Sequence, residues 1–233
     1  MTRIIFIFIS IFLIMSSSHS HEINKDNIDT IIKNFLKKNP DLLKSTLDNY
    51  KISLENEKKQ NAIKLLKDVD NPGIFPKQAD ITIYEFFDYN CGYCKSVLPT
   101  LLNVVKKDKN TKLIFKEFPI LSETSFEAAL YALAAQKQNL YFEFHTRIME
   151  YRGRLNNDIF IKVANDIGLD IEKLNNDLDD KNIRIAIEKN RLIAKDFNIN
   201  GTPTLIIGDK IIPGAINEQK LNELIKEARD LNS

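Results

Sequence analysis

The sequence predicts an α/β protein in which a small sheet is interrupted by helices and preceded by a helical arm. Three observations predict this class. Residues 81–87 and 113–118 are rich in β-branched and aromatic residues and flank a helical pattern, which predicts parallel strands joined by a helix. From Ser122 to about Phe197 only helical patterns occur, which indicates an inserted helical subdomain. A polar but periodic stretch before residue 72 predicts the arm.

The N-terminus has the composition of a secretory signal. Arg3 is followed by an unbroken apolar run over residues 4–15 and then by small and polar residues. The run is too short to be a comfortable membrane anchor, so we expect residues 1–20 to be removed by cleavage after Ser18 or Ser20. The alternative is an uncleaved N-terminal anchor.

The charge balance gives no argument for a nucleic acid or an anionic membrane as partner. The chain has 33 basic and 32 acidic residues, and its formal net charge of +1 falls to zero once Arg3 is removed with the signal. Residues 228–233 do not form an endoplasmic-reticulum retention signal, so export points to a bacterial periplasm or the cell exterior. Oxidising compartments of this kind permit disulfides, whereas the cytosol keeps thiols reduced.

Residues 21–72 are predicted to form the arm. Its first helix is followed by Asn39-Pro40, which predicts a second helix because Asn can cap a helix and Pro is favoured at its first position. The second helix carries a narrow apolar seam, formed by Leu43, Leu47, Tyr50 and Leu54. Two interpretations stay open, a solvated arm packed on its own domain and an oligomerising stalk. Asn71-Pro72-Gly73 marks the boundary to the domain of residues 73–233.

The other elements of residues 73–233 follow from local patterns. A helix is predicted directly after the cysteines, with a kink at Pro99. Residues 204–207 and 210–212 flank a two-residue Gly-Asp turn of the hairpin kind, and residues 217–231 are predicted to form the last helix. The helical insertion covers about residues 122–197 of this domain.

The chain has two cysteines, Cys91 and Cys94, which allow three roles. A structural disulfide across so small a loop would stabilise the fold little. A closed zinc site needs four ligands, and beyond the signal and the mature terminus only His145 remains, so no metal and no cofactor is predicted. Redox chemistry fits better, because the free N–H groups of a helix N-terminus stabilise a thiolate at Cys91. Cys91 is the predicted nucleophile and Cys94, one turn along, the resolving thiol.

Two further side chains are candidates for the site. Glu85 lies in the apolar strand before the cysteines. It is either an outward-facing charge or a partly buried acid that exchanges a proton with Cys94, and spacing alone does not decide between these. His145 is expected to pack between helices rather than to act in catalysis.

The pattern resembles disulfide oxidoreductases of the DsbA type. The resemblance covers about residues 74–230 and rests on five blocks in the family's order: Phe86–Lys95, Phe115–Pro119, Phe142–His145, Gly201–Thr204 and Ile212–Ala215. It implies a thioredoxin-like fold with the helical insertion. It also implies that Pro203 is cis and packs beside the cysteines, that the Thr202 backbone pairs with an extended substrate segment, and that Glu85 is a buried acid.

Two further features bear on the branch of the family. In the wider superfamily Gly92-Tyr93 is familiar from disulfide isomerases, whereas the strongest oxidants carry a His before the second cysteine. A neutral Tyr93 lacks that charge, so the protein is predicted to be less oxidising. The arm from Ile28 to Leu66 resembles the N-terminal segment of the copper-sensitivity-suppressor branch, where it serves oligomerisation, and this implies a homo-oligomer formed through residues 21–70.

The sequence therefore predicts a periplasmic thiol–disulfide oxidoreductase that forms or reshuffles disulfide bonds in exported proteins. Its expected partners are cysteine-containing exported proteins and a membrane redox partner of unknown identity, with no role for nucleic acid. One alternative is a copper carrier that uses Cys91 and Cys94 as soft ligands for Cu(I). Another is a non-catalytic chaperone that binds extended chains through the arm and the groove beside Pro203.

Overall fold

The computed structural model describes residues 25–68 and 71–231, so the predicted signal of residues 1–20 lies outside the described residues. Along the chain the elements are α1 (Lys25–Lys38), α2 (Pro40–Asp68), β1 (Gly73–Ile74), β2 (Ile81–Phe87), α3 (Gly92–Lys107), β3 (Thr111–Glu117), α4 (Glu123–Gln136), α5 (Tyr141–Glu150), α6 (Asn157–Asp166), α7 (Ile171–Leu178), α8 (Lys181–Asp196), β4 (Thr204–Ile207), β5 (Lys210–Pro213) and α9 (Glu218–Asp230).

The sheet has the strand order β1-β3-β2-β4-β5. β2 and β3 are parallel, with Ile81 opposite Thr111 and Phe87 opposite Glu117, which confirms the predicted strand–helix–strand unit. β4 pairs antiparallel with β2 and forms the predicted hairpin with β5. β1 was not predicted from the sequence, since two residues are too few for a strand pattern to be visible.

The two faces of the sheet are both buried. Ile83, Glu85 and Phe87 of β2 lie on the face that packs against α3 and the helical insertion, in the larger core. Tyr84 and Phe86 alternate with them and belong to a smaller core on the opposite face. The side chains of β2 therefore read as a nearly continuous apolar run, as expected for a strand that is covered on both sides.

The helical insertion is built around α4, which packs against α5, α6, α7 and α8. α4 is rich in alanine, and Ala128, Ala129, Ala132 and Ala135 are fully buried. Small side chains let the neighbouring helices approach closely on several sides of α4. The insertion also contacts the sheet and the helix that follows the cysteines, because α8 packs against β3 and α5 against α3.

The last turns of α2 pack on the smaller core rather than extending into solvent. Ala62 is fully buried and Leu66 is 3% exposed, in one cluster with Tyr84 and Phe86. The ammonium group of Lys116 on β3 donates to the carbonyl oxygen of Leu66 at 3.1 Å. The chain divides into two compact units between Leu54 and Glu55, inside α2. The domain boundary near residue 72 stays a prediction.

The first unit, as far as it is described, consists of α1 and the first part of α2. Most of its large apolar side chains are exposed, including all four residues of the predicted seam: Leu43, Leu47, Tyr50 and Leu54. Within the described part of the chain, no helix is both long and apolar enough to cross a bilayer.

Candidate active site

The two cysteines lie where β2 ends and α3 begins. Cys91 is the N-cap residue of α3, in an extended conformation with φ −78° and ψ 111°, and the backbone N–H of Cys94 donates to its Sγ at 3.2 Å. Both thiols are free. Cys91 is 5% exposed whereas Cys94 is fully buried, so of the two cysteines only Cys91 can be reached from the surface.

The two thiols have opposite electrostatic environments. The pKa of Cys91 is lowered to about 6, chiefly because the Cys94 side chain and N–H hydrogen-bond to its sulfur. Burial raises the pKa of Cys94 well above its usual range. The hydrogen bond between the two cysteine side chains and the charge of Glu85 raise this pKa further. At neutral pH the reduced pair therefore carries its negative charge on Cys91.

The loop that precedes β4 faces this pair. The Thr202–Pro203 peptide bond is cis, as the resemblance implied. The Cys91 thiol lies 3.2 Å from the carbonyl oxygen of Thr202, to which it can donate. A cavity of about 570 Å³ opens beside the loop and is lined by residues 197–204 together with Ile211, Pro213 and Gly214. The structure thus brings Thr202, Pro203 and Cys91 together.

Glu85 is fully buried beneath the cysteines, so the interpretation as an outward-facing charge is wrong. Its neighbours in register are Phe115 on β3 and Leu205 on β4, and neither carboxylate oxygen has a hydrogen-bond partner among the described residues. Burial raises the pKa of Glu85 to about 8, and the charge of Cys91 contributes to the rise.

The turn before Cys91 is held by side chains that the sequence did not single out. Asp88 is 1% exposed and accepts hydrogen bonds from the backbone N–H groups of Asn90, Ile120 and Leu121, at 2.7, 2.9 and 2.9 Å. The backbone N–H of Cys91 in turn donates to the Asp88 carbonyl at 3.0 Å. An acid directly after a strand signals such a turn, but the sequence does not reveal which N–H groups it accepts from.

His145 packs in the core, as expected. It is fully buried among the rings of Phe87, Tyr89, Phe115 and Tyr141. Burial lowers its pKa to about 3, so the imidazole is neutral. The described residues contain no cluster of three or more His, Cys, Asp or Glu side chains that could hold a metal ion.

A free Cys-x-x-Cys pair at the start of the helix after the central strand, facing a cis-proline loop, defines the class of thioredoxin-fold disulfide oxidoreductases. Residues 82–226 match the model of the DSBA-like thioredoxin domain, and the chain belongs to this family.

Solved structures support this assignment. A thioredoxin-like oxidoreductase from Silicibacter pomeroyi is 34% identical, with a TM-score of 0.69 over 71% of this chain and 96% of that one. The thiol-disulfide exchange protein alpha-DsbA2 from Wolbachia pipientis is 28% identical, with a TM-score of 0.68 over 75% of this chain and 97% of that one.

A curated relative is much longer than the matched segment. The Na(+)/H(+) antiporter NhaA 1 from Salinispora arenicola is 23% identical over 155 residues, which are 66% of this chain and 24% of that protein. The matched segment thus spans about a quarter of the relative's length.

Proposed function

We propose that this protein is a thiol–disulfide oxidoreductase that forms or reshuffles disulfide bonds in exported proteins, with Cys91 as nucleophile and Cys94 as resolving thiol. The observation that carries the proposal is the asymmetry of the pair. Cys91 is the more accessible thiol and its pKa is lowered to about 6, while Cys94 is fully buried and its pKa is raised. The thiolate is the reactive species in exchange, so attack begins and ends at Cys91.

In disulfide formation, a substrate thiolate attacks Sγ of Cys91 in the oxidised pair, the Cys91–Cys94 bond breaks, and Cys94 leaves. A second substrate thiolate then attacks the substrate sulfur of the mixed disulfide, and Cys91 leaves as a thiolate. Two electrons pass from the substrate to the pair. In isomerisation, the reduced Cys91 thiolate attacks a substrate disulfide and is released by another substrate thiolate, with no net electron transfer.

We assign Glu85 the role of exchanging a proton with Cys94. Because Cys94 is buried and disfavours its charged form, it needs a proton when it leaves and must lose one when it attacks. Glu85 is buried nearby, its charge acts on Cys94, and its pKa of about 8 allows it to hold or release a proton near neutral pH.

The substrate is proposed to be an extended, cysteine-containing segment that lies against Thr202 and Pro203. The cavity beside this loop and the proximity of the Thr202 carbonyl to Cys91 support that position. The position before Cys94 holds the ring of Tyr93 rather than a cationic side chain, and this ring is 73% exposed. We therefore expect a reduction potential below that of the strongest oxidants.

We propose that the protein is periplasmic and is exported by a signal in residues 1–20. A membrane redox partner is proposed to restore the redox state of the cysteine pair after each reaction. We propose that the protein forms a homo-oligomer through residues 21–70, a segment that includes most of the first unit. Its exposed apolar side chains support this, because Ile31, Phe35 and Tyr50 are each more than half exposed on helices of otherwise polar composition.

The test is recovery of activity by a scrambled, multi-disulfide ribonuclease in a glutathione buffer. The mature chain should accelerate recovery, and Cys91→Ser should reduce it to the uncatalysed rate. Deletion of residues 21–54 should lower recovery if isomerisation needs an oligomer. An intact chain that accelerates neither recovery from the scrambled form nor oxidation of the reduced form would refute the proposal.

A titration of the reduced protein with Cu(I) completes the test. A copper carrier would bind the metal tightly and leave disulfide substrates unchanged. Catalysed exchange together with weak copper binding would exclude the carrier, and peptide binding without exchange would indicate a chaperone.

A further inference from the structure

One side chain anchors the Cys91 turn to the interior of the protein. Tyr89 is 1% exposed, its ring packs edge-on against Phe87 with centroids 5.1 Å apart, and its hydroxyl donates to Oε1 of Glu117 at 3.0 Å. The next side chain of the turn binds nearer the surface: Asn90 donates from Nδ2 to the hydroxyl of Ser122 at 2.9 Å. Tyr89 therefore links the turn to the aromatic core.

Glu117 is the last residue of β3, and the helical insertion holds it from two sides. Tyr141 of α5 donates to the same Oε1 at 2.8 Å, and Asn190 of α8 donates to the Glu117 backbone carbonyl at 3.2 Å. Nδ1 of His145 lies 3.1 Å from the Tyr89 hydroxyl and completes the cluster. Glu117 thus connects two helices of the insertion to the residue that lies two positions before Cys91: α5 bonds to its carboxyl group and α8 to its backbone carbonyl.

Burying the carboxyl group of Glu117 at this position costs free energy. It is 1% exposed, and no lysine or arginine forms an ion pair with it among the described residues. Burial raises its pKa well above the usual range, and the nearby acids Asp88 and Glu85 act in the same direction. A neutral carboxyl group that accepts two tyrosine hydroxyls is one way to make such burial tolerable.

We propose that Glu117 is a positioning residue for the redox pair: by accepting the Tyr89 hydroxyl, it holds the turn so that Sγ of Cys91 stays beside the N–H groups at the start of α3. The proposal rests on the assignment of Cys91 as the nucleophile. The contact it protects is the 3.2 Å hydrogen bond from the Cys94 N–H to the Cys91 sulfur. Such a contact weakens when donor and acceptor move apart or lose alignment, so a small displacement of the turn reduces thiolate stabilisation.

The experiment measures the pH dependence of Cys91 alkylation by iodoacetamide in the reduced full-length chain. The variants are Tyr89→Phe, Glu117→Leu and Glu117→Gln. The matched control is Tyr131→Phe, which removes a tyrosine hydroxyl that donates to Asn157 at 2.6 Å within the insertion. The reduction potential of each variant is measured by equilibration with glutathione.

Tyr89→Phe and Glu117→Leu should raise the alkylation midpoint by about half a unit to one unit, which slows alkylation roughly three- to tenfold below the midpoint. The reduction potential should fall in the same variants, since the reduced form loses thiolate stabilisation. Glu117→Gln should remain close to the parent, because its amide oxygen can accept the same two hydrogen bonds, and Tyr131→Phe should not move the midpoint.

Unchanged midpoints in Tyr89→Phe, or an equal shift in Tyr131→Phe, would overturn the proposal. Tyr89→Phe decides the question if Glu117→Leu does not fold, because it keeps the ring and its packing. Alkylation needs no protein substrate, so the two proposals can fail separately. The shifts without catalysed exchange would refute the oxidoreductase function, and exchange without the shifts would refute the role of Glu117.

Discussion

The backbone N–H of Cys94 donates to Sγ of Cys91 at 3.2 Å. The hydrogen bond between the two cysteine side chains, this contact and the burial of Cys94 together make the two thiols unequal. The sulfur that accepts the hydrogen bond is favoured as a thiolate, while the partner one turn along the helix is buried and favoured as a thiol. The helix N-terminus contributes to the asymmetry, because the N-cap residue can direct its side chain back at the free N–H groups of the first turn.

The first prediction concerns the two cysteines. Cys94→Ser should form a mixed disulfide with substrate through Cys91 and accumulate it, because no resolving thiol remains. Cys91→Ser should form none, since Cys94 is fully buried. Non-reducing gel electrophoresis after incubation with a peptide disulfide distinguishes the two. Accumulation in Cys91→Ser but not in Cys94→Ser would reverse the assignment.

The second prediction concerns Glu85 and stability. Its pKa of about 8 in the folded state lies above the ordinary glutamate value of 4.5, so between these pH values the folded state binds more protons than the unfolded state. The contribution of Glu85 to stability is thus fully present below pH 4.5 and is lost as the pH rises to about 8. Glu85→Gln removes this loss and should raise the free energy of unfolding at pH 8 by about 3 to 5 kcal/mol, with little effect at pH 4.

Urea unfolding of the reduced protein at pH 4, 6 and 8 checks this prediction. Glu123→Gln serves as the control, since Glu123 is an exposed acid in the first turn of α4. A gain that does not grow with pH would show that Glu85 is not the group responsible.

The third prediction concerns Lys116, which is fully buried on the opposite face of the sheet. Burial lowers its pKa from 10.5 to about 7, so between these values the unfolded state binds more protons and stability rises with pH. Lys116→Met should be about 2 to 4 kcal/mol more stable than the parent at pH 6, after about 1 kcal/mol is allowed for the lost hydrogen bond to Leu66. The gain should disappear near pH 10.

Lys112→Met, on the same strand but only partly buried, is the control for urea unfolding at pH 6, 8 and 10.

The fourth prediction concerns the end of α2. Leu66 is 3% exposed in the smaller core, whereas its neighbour Leu65 is 39% exposed. Leu66→Ala should lower the free energy of unfolding by about 2 to 4 kcal/mol, and Leu65→Ala by less than about 1 kcal/mol. Equal costs in urea unfolding would mean that α2 does not pack on the sheet.

The fifth prediction distinguishes two truncations. Deletion of residues 21–54 keeps the part of α2 that covers Tyr84 and Phe86, so the remaining domain should unfold at nearly the parent urea concentration. Deletion of residues 21–70 uncovers that face of the sheet and should destabilise the domain. Light scattering should report a monomer for the shorter deletion if the first unit forms the oligomer. A parent chain that is itself monomeric would contradict that assembly.

Local patterns predicted most of the elements. The strand of residues 81–87 and the hairpin strands around Gly208-Asp209 follow from β-branched and aromatic content and from turn chemistry, all of which involve neighbours in sequence. The cis bond at Pro203 did not follow from such patterns. It was implied by the family resemblance, and the structure contains it.

The site was only partly predictable. Cys91 and Cys94 are visible as a spacing, but the burial of Glu85 depends on which face of β2 it occupies and on what covers that face. A strand buried on both sides has no polar alternation, so its sequence cannot assign a charge to the inside or the outside. The hydrogen bond between Tyr89 and Glu117 joins the turn after β2 to the end of β3. The two residues are far apart in sequence, so local patterns could not predict this bond either.

By itself, the sequence determined the redox pair, the helix that begins at it and the hairpin of β4 and β5, because each depends on interactions within a few residues. The tertiary structure decided that the Glu85 carboxylate has no hydrogen-bond partner among the described residues, and that Lys116 reaches the end of α2. These properties depend on which distant segments exclude water from a given side chain. Burial raises the pKa values of Cys94 and Glu85, and hydrogen bonds lower that of Cys91.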